Sequence, residues 1–406
     1  MALHTLIETA GWVLASVISL FLIQAFLIWV ISLLVPYPRK PGSPYLHHFT
    51  VIITAYRNII MCNPLVESLL KNDYPNLNII IVADECEVSD FHMYGENIQV
   101  IVPPEKLGSK VLSMEMGARS LPKKTEGVII MDPDNLTHPE FLYKINDYFH
   151  KGFEVVQGIR IAKNRESSVA RSDSLGEFYY NFTDRYLTFN VGSSATISGS
   201  GMAIQKEVFL DFIHSQKVES KLASGPILGE DKMLQNYTVL RGGRVAFDPD
   251  AIIYDEKLSS GKQVERQRTR WINTYFENLG DAFRLVFAGI FKFRWNALIL
   301  GLVSIKPPLF MLAGSAVIML LAGLLIDMRI SLMLAGALII FVLFFIYAAM
   351  RSPHSTNVLS SIWGVPSFIY FQLKALLKTR KHRKDFLATE NTQKISIDEM
   401  VKNKGN

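Results

Sequence analysis

Residues Gly11 to Val35 form an almost unbroken apolar run that contains no charged residue. At a rise of about 1.5 Å per residue, a helix of this length crosses a hydrocarbon core of about 30 Å. The run is too long for the core of a signal peptide and no basic leader precedes it, so we interpret it as a permanent membrane anchor. A chain that is 49% hydrophobic and 19% charged agrees with this interpretation.

Two further runs, Pro308 to Ile326 and Ile330 to Met350, are separated only by Asp327, Met328 and Arg329. They predict a tight transmembrane hairpin. The alternative is a buried hairpin in a soluble core, although adjacent uncharged runs of this length are typical of membranes.

The basic residues predict the orientation of the three spans, because Lys and Arg are enriched on the cytoplasmic side. No Lys or Arg precedes the first span, whereas basic residues follow the first and the last spans. We therefore expect an external N-terminus, a cytosolic middle region and a cytosolic C-terminal tail. The residues concerned are Arg39, Lys40, Arg351, Lys374, Lys378, Arg380, Lys381, Arg383 and Lys384. The expected location, as a separate hypothesis, is the inner membrane of a bacterial cell.

Two apolar segments carry too many charged and aromatic residues for a simple span. Phe283 to Ser304 predicts a helix lying in the membrane interface. Ile362 to Leu377 predicts a second interface helix or a marginal fourth span. The expected organisation is an anchor (1–40), an α/β domain (41–281), an interface region (282–306), a transmembrane hairpin (307–351) and a basic tail (352–406).

The region between the anchor and the interface segment alternates short β-branched runs with helical stretches, which predicts a doubly wound, mainly parallel α/β sheet. The expected strands are 49–54, 78–83, 98–102, 128–131 and 154–161, and the expected helices are 65–71, 110–120 and 139–150. Ligands of such sheets bind beyond the carboxyl ends of the strands. Those ends carry Thr54, Asp84-Glu85 and Asp132-Pro133-Asp134, although each could serve only as a cap or a turn.

Asp132 and Asp134 follow a very apolar strand and are two residues apart. Two such carboxylates can share a hard divalent cation, Mg²⁺ or Mn²⁺, which also bridges substrate phosphates. The alternative is a turn stabilised together with Asn135. Further along, Asp231 in Gly229-Glu230-Asp231 is either a general base for an acceptor hydroxyl or a first-turn residue that favours the helix dipole.

Gln267, Arg270 and Trp271 share one face of a helix, at positions i, i+3 and i+4. The guanidinium suits phosphate oxygens and the indole suits the apolar face of a sugar ring. The alternative is a basic helix on lipid headgroups, to which Lys262, Arg266 and Arg268 would contribute.

In order and spacing, these segments resemble the processive family-2 glycosyltransferases of the cellulose and hyaluronan synthase type. The resemblance runs from about Val51 to Asn273. It is carried by residues 51–56, 82–84, 131–135, 198–202, 229–231 and 267–271. It implies a GT-A fold, inverting transfer and a nucleotide-sugar donor, usually a UDP-sugar.

The resemblance also implies site roles. Asp231 would be the catalytic base; Glu230 and Trp271 would bind the acceptor; Asp132 and Asp134 would hold the metal. Asp84 would contact the uracil. The donor-binding set is Thr54, Tyr56, Asp84, Lys110, Asp132, Gln267 and Arg270.

The sequence differs from that group where Arg57-Asn58 replaces the usual Asn-Glu pair, and three spans are few for a polymer-conducting pore. The leading hypothesis is transfer to a growing glycan or polysaccharide, with membrane lipids and export proteins as partners. The alternatives are a glycolipid synthase similar to ceramide glucosyltransferase, with a lipid acceptor, and a non-catalytic membrane scaffold. Nucleic acid is not expected as a partner because the middle region has no concentrated basic patch.

Overall fold

The computed structural model describes residues 2–38, 42–378 and 396–402. Several basic residues on which the predicted orientation depends lie outside the described residues, namely Arg39, Lys40, Arg380, Lys381, Arg383 and Lys384.

The strands of the described chain are β1 (Phe49–Tyr56), β2 (Leu77–Asp84), β3 (Ile98–Ile101), β4 (Gly127–Met131), β5 (Leu136–Thr137), β6 (Val155–Ala162), β7 (Met202–Gln205) and β8 (Val245–Asp255). The first nine α-helices are α1 (Ala2–Ser32), α2 (Cys62–Leu70), α3 (Lys110–Arg119), α4 (Phe141–His150), α5 (Ser168–Tyr180), α6 (Thr188–Asn190), α7 (Lys206–Ile213), α8 (Gln216–Ser224) and α9 (Glu230–Arg241). They are followed by α10 (Gly261–Phe291), α11 (Trp295–Ile305), α12 (Leu309–Ile326), α13 (Met328–Arg351), α14 (Val358–Ser361), α15 (Val365–Lys378) and α16 (Ile397–Lys402). A π-helical segment, Asn181–Leu187, joins α5 to α6, and short 3₁₀ turns cover Val88–Asp90 and Ile362–Gly364.

One sheet organises the α/β domain, in the order β3-β2-β1-β4-β7-β6-β8-β5. Strands β1 to β4 pair in parallel, and β6 pairs in parallel with β8. Burial on both faces explains the continuous apolar sequences of β1 and β4, because helices cover both sides of such a sheet. The predicted mainly parallel α/β sheet is confirmed, as are the five predicted strands.

Three strands that the sequence pattern did not reveal complete the sheet. Strand β7 is antiparallel to both β4 and β6, and β5 is antiparallel to β8. Strands β5 and β7 contain only two and four residues, too few for a periodic pattern. Strand β8 contains Pro249, and a proline within an apolar run argues against a strand when only the sequence is considered.

Three helices of the described chain are long and apolar enough to cross a membrane, and they correspond to the three predicted spans: Leu3–Ser32, Leu309–Ile326 and Met328–Arg351. The three helices pack together: a β-carbon at Gly11 would lie 3.2 Å from Ile330 of α13. Asp327 alone separates α12 from α13, and its carboxylate accepts a hydrogen bond from the Arg329 backbone N–H at 2.9 Å.

The predicted single interface helix over 283–304 is wrong in its extent, because the chain breaks at Lys292–Arg294 and folds back. Phe293 has a φ of 52°, and α11 returns along α10. Glycines permit the close approach: a β-carbon at Gly289 would lie 2.5 Å from Leu298, and one at Gly301 would lie 2.7 Å from Val286. Helix α15, with 14 residues, is not among the spanning helices and packs on α10, where Phe371 meets Gly261.

Candidate active site

The carboxyl ends of β1, β2 and β4 meet at one edge of the sheet. Tyr56 is paired in register with Asp84, and Asp132 follows directly after β4. Thr54 lies two residues before the end of β1 and is partly buried. The structure therefore brings together the strand-end residues that the sequence analysis selected.

Asp84 is buried, and its carboxylate is hydrogen-bonded to the backbone. It accepts hydrogen bonds from the N–H groups of Leu107 (3.0 Å) and Gly108 (2.8 Å). Gly108 has a φ of 56°, a left-handed conformation that favours glycine. Asp84 thus fixes the loop that delivers Lys110, the first residue of α3, to the site.

The more accessible side chains at this end of the sheet form a cluster around Tyr56. Arg57 and Lys106 lie over the Tyr56 ring, at 4.9 Å and 5.7 Å from its centroid. Glu85 forms ion pairs with Arg57 (3.0 Å) and Lys106 (3.1 Å). Hydrogen bonds from Lys106, Tyr56 and Arg57 lower the pKa of Glu85 to about 2. Glu85 was expected only as a polar strand-end residue, and its ion pair with the unusual Arg57 emerges from the structure.

Lys110 connects three motifs that are distant in sequence. Its ammonium donates hydrogen bonds to Asp132 Oδ1 (2.6 Å) and to the Gly199 carbonyl (2.7 Å), and lies 3.4 Å from Glu230 Oε1. Burial disfavours the charged ammonium, but the charges of Asp132, Glu230 and Asp231 outweigh this and raise the pKa of Lys110. Lys110 is therefore a cation held inside an acidic cluster, which consists of Asp132, Glu230 and Asp231.

Asp132 and Asp134 lie at the same strand end but in different surroundings. The Asp132 side chain is 36% exposed, whereas Asp134 is buried. Burial, followed by the nearby charge of Asp132, raises the pKa of Asp134 to about 6. The predicted turn with Asn135 is also present, because the amide oxygen of Asn135 accepts hydrogen bonds from Asp132 N–H (3.3 Å) and the Ser200 hydroxyl.

The two carboxylates fit a Mg²⁺ or Mn²⁺ site in which the protein supplies only two ligands. Burial and, after it, the nearby charge of Asp132 raise the pKa of Asp134, and a shared cation would offset both effects. Within residues 2–38, 42–378 and 396–402, no group of three or more His, Cys, Asp or Glu side chains is arranged to hold a metal. Magnesium commonly takes only one or two protein carboxylates and completes its shell with phosphates and water.

The Ser198–Gly201 loop lies between these carboxylates and α9. Gly199 has a φ of 84°, and a β-carbon there would lie 3.7 Å from Oδ2 of Asp231. The loop is held from behind, because Arg160 donates to the Ser198 carbonyl at 2.6 Å and Gln157 accepts from the Ser198 N–H at 3.0 Å. The predicted base, Asp231, is the second residue of α9 and lies directly beside this loop.

Helix α10 carries the predicted face of Gln267, Arg270 and Trp271. A β-carbon at Gly229 would lie 2.1 Å from Cγ2 of Thr274, so the turn that begins α9 lies against α10. Thr274 follows Trp271 by three residues and Arg270 by four, which places it on the same helix face. This part of α10 therefore lies beside the start of α9, where Glu230 and Asp231 follow Gly229.

Arg268, which the lipid-surface alternative assigned to headgroups, has a structural role. Its guanidinium forms an ion pair with Asp173 and lies 4.1 Å from the Trp271 ring centroid. Trp271 itself is 39% exposed, which leaves its outer surface accessible. Arg268 thus orients Trp271, whereas Lys262 and Arg266 remain on the exposed side of α10.

A buried ionic network that no sequence pattern indicated lies behind the Ser198–Gly201 loop. Asp255 at the end of β8 pairs with Arg160 and with Lys257 (3.1 Å), and Glu177 pairs with Lys257 (3.4 Å) and Arg185 (2.8 Å). Each of these residues is unremarkable in sequence, because the partners are up to 95 residues apart.

Comparison with known proteins identifies the family. Residues 47–274, which include every motif described above, match the model of the glycosyltransferase-like family 2. The chain belongs to this family. No curated protein sequence matches the chain. This family 2 protein is therefore a glycosyltransferase, as predicted.

The fold of this glycosyltransferase is of the GT-A type. It is similar to the solved structure of PcManGT, a mannosyltransferase from Pyrobaculum calidifontis in complex with GDP-Man and Mn²⁺. The TM-score is 0.56 at 14% sequence identity, and the match covers 90% of this chain and 98% of that one. At this identity the similarity concerns the fold. The predicted resemblance to the cellulose and hyaluronan synthase subtype stays a prediction.

Proposed function

We propose that this protein is an inverting, metal-dependent glycosyltransferase that moves a sugar from a nucleoside-diphosphate donor to an acceptor at the membrane. The observation that carries the proposal is the junction at Lys110, which joins Asp132, Gly199 and Glu230 within 3.4 Å of one ammonium. A non-catalytic scaffold has no need to keep a buried cation and several carboxylates together, because burying charge is costly.

In the proposed reaction, Asp231 accepts the proton of an acceptor hydroxyl. The hydroxyl oxygen attacks the anomeric carbon from the face opposite the leaving group, and the bond from that carbon to the diphosphate oxygen breaks. Arg270 and Gln267 bind the departing diphosphate, and Trp271 packs against the acceptor sugar beside Glu230. A divalent cation, when bound by Asp132 and Asp134, would neutralise negative charge on the departing diphosphate.

The nucleobase subsite is proposed at the Tyr56 cluster. Both Asp84 carboxylate oxygens hold the Leu107–Gly108 backbone, so in this state Asp84 acts on the donor mainly through the loop it fixes. Tyr56 offers a ring and Glu85 an ionised acceptor for the base. The resemblance to family-2 synthases favours a UDP-sugar, whereas the solved mannosyltransferase holds GDP-Man. Both nucleotides therefore belong in the test.

The acceptor is proposed to be either a growing glycan or a membrane lipid. The close packing of α1, α12 and α13 favours the lipid, because these described spans meet through small residues rather than surrounding a conduit. For example, a β-carbon at Gly323 would lie 2.6 Å from the Ser331 hydroxyl. We further propose that the α/β domain (41–281) and the tail (352–406) face the cytosol of a bacterial cell, with 1–40 as anchor, 307–351 as hairpin and 282–306 at the interface.

A donor panel tests the proposal. The full chain in lipid nanodiscs is incubated with UDP- and GDP-sugars, with lipid and oligosaccharide acceptors, and with Mg²⁺, Mn²⁺ or excess chelator. We expect metal-dependent transfer from one donor class, with a product of inverted anomeric configuration identified by mass and linkage analysis. Full activity in chelator would contradict metal dependence, and a retained configuration would contradict the single-displacement role of Asp231.

A further inference from the structure

Lys110 lies directly against Asp132, one of the two carboxylates proposed to bind the metal. An ammonium has three donors, and here three oxygens surround it: Asp132 Oδ1, the Gly199 carbonyl and Glu230 Oε1, at 2.6, 2.7 and 3.4 Å. The Lys110 side chain is only 18% exposed. The ammonium is therefore enclosed by acceptors and occupies the side of Asp132 that faces the acidic cluster.

The charges of the site explain why a cation is needed there. The ammonium lies within 3.4 Å of carboxylate oxygens of Asp132 and Glu230, and Asp231 lies beside Gly199, whose carbonyl also accepts from Lys110. Like-charged carboxylates in a partly buried site repel one another strongly unless a cation lies between them. Lys110 supplies that charge without any ligand, because it is the first residue of α3 and Asp84 fixes the loop before it.

A divalent ion bound to Asp132 would lie close to the Lys110 ammonium, and the two cations would repel each other. A magnesium ion on Asp132 and Asp134 would lie about 2.0–2.1 Å from its ligand oxygens and carries two positive charges. Its repulsion of an ammonium that still lies 2.6 Å from Asp132 Oδ1 would be large. Binding of the metal therefore requires that Lys110 leave this position or that the metal bind weakly.

We propose that Lys110 is an internal counter-ion that competes with the divalent metal for Asp132 and is released to the donor diphosphate when metal and nucleotide bind together. The inference rests on the proposed function, since it takes Asp132 and Asp134 as the metal site. Its consequence is that metal alone binds weakly and that nucleotide and metal bind cooperatively. Lys110 thereby acts as a positioning residue for the metal before it contacts the donor.

Manganese affinity in the absence of nucleotide tests the proposal. The full chain in nanodiscs is titrated with Mn²⁺, and free Mn²⁺ is measured by electron paramagnetic resonance. Lys110→Met should bind Mn²⁺ at least about tenfold more tightly than wild type, because one positive charge is removed within a few ångströms of the site. Lys110→Arg, which keeps the charge, should remain close to wild type. Unchanged or weaker Mn²⁺ binding by Lys110→Met would overturn the inference.

Nucleotide supplies the second half of the test. With saturating UDP or GDP, whichever binds, the advantage of Lys110→Met should shrink or reverse, because the variant has lost a charged contact to phosphate. An advantage that persists undiminished would overturn the release of Lys110 to the diphosphate.

Asp134→Asn separates this inference from the proposed function. If Asp134→Asn abolishes Mn²⁺ binding while Lys110→Met leaves its affinity unchanged, the metal site stands and the counter-ion role is overturned. If Mn²⁺ binding survives Asp134→Asn in both backgrounds, the proposed metal site fails and the counter-ion role fails with it.

A measurement on the wild-type protein guards against a variant that does not fold. An amine-acylating reagent is applied with and without Mn²⁺, in the absence of nucleotide, and labelling of each lysine is quantified by mass spectrometry. Mn²⁺ should increase the labelling of Lys110 at least about twofold, because the ammonium leaves the enclosed position beside Asp132 and becomes more accessible to the reagent. Lys257, which is buried in ion pairs with Glu177 and Asp255, is the matched control and should not change. Lower or equal labelling of Lys110 would overturn the proposal.

Discussion

Gly229 lies so close to Thr274 that a β-carbon on the glycine would be 2.1 Å from the threonine methyl group. Gly229 also has a φ of 78°, a left-handed conformation that L-residues with side chains rarely adopt. This contact sets the beginning of α9 against the middle of α10. It therefore determines how Asp231 is placed relative to Arg270 and Trp271, which the sequence separates by about forty residues.

Asp231→Asn should reduce the rate of sugar transfer by at least about a hundredfold, the usual scale of a lost general base. Donor affinity should change little, because the amide keeps the shape of the side chain. Asp211→Asn is the matched control, since Asp211 of α7 is an exposed carboxylate paired with Arg241 at the C-terminal end of α9. Transfer by Asp231→Asn at the wild-type rate would show that another group removes the proton.

Arg270→Ala and Trp271→Ala should affect different steps. The first should weaken donor binding by removing a charged phosphate contact, and the second should reduce transfer while slow hydrolysis of the donor by water continues. Arg266→Ala, an exposed position on the same helix, is the control. Donor affinity, hydrolysis and transfer are measured separately. If all three variants change only membrane association or yield, the lipid-surface alternative is correct.

Lys306→Met should destabilise the folded protein by about 3–5 kcal/mol, the cost of leaving a buried charge without its partner. Lys306 lies 2.9 Å from Asp184 in the π-helical segment, and both side chains are largely buried. The double variant Lys306→Met/Asp184→Asn should recover much of the loss. The measurement is the change in thermal unfolding in nanodiscs. A double variant no more stable than Lys306→Met would argue against an isolated buried pair.

Cys86 should react slowly with maleimide at neutral pH. Burial raises the pKa of its thiol to about 11, and its Sγ lies 3.5 Å from the Asp84 carbonyl. Only the thiolate reacts, so labelling should increase steeply as the pH rises towards 11. Peptide mass spectrometry of the native protein measures the rate at each pH. Rapid labelling at pH 7, in protein shown to be folded, would contradict this environment.

The same protection permits a test of membrane orientation. Ala2→Cys should react with an impermeant maleimide in intact cells, and Lys262→Cys should react only after lysis. Each variant is compared with the wild type, whose own cysteines should contribute little background. The reverse pattern would overturn the proposed orientation and place the α/β domain outside.

The sequence alone predicted the features that depend on local pattern. The three apolar runs predicted the spans, because a membrane core imposes a minimum length and excludes charge. The alternation of β-branched runs and helices predicted the parallel half of the sheet, and the order of the motifs indicated the family. Even the face of Gln267, Arg270 and Trp271 followed from helical spacing, which needs no knowledge of distant residues.

Only the tertiary structure decided the features that depend on distant partners. The acceptors of Lys110 lie in three segments: the end of β4, the Ser198–Gly201 loop and the start of α9. No spacing in the sequence indicates that these segments converge. The antiparallel insertion of β7, the fold-back of α11 on α10 and the Arg160–Asp255 network have the same origin. In each case the decisive quantity is the distance between residues far apart in sequence, which packing of the core sets and local propensity does not.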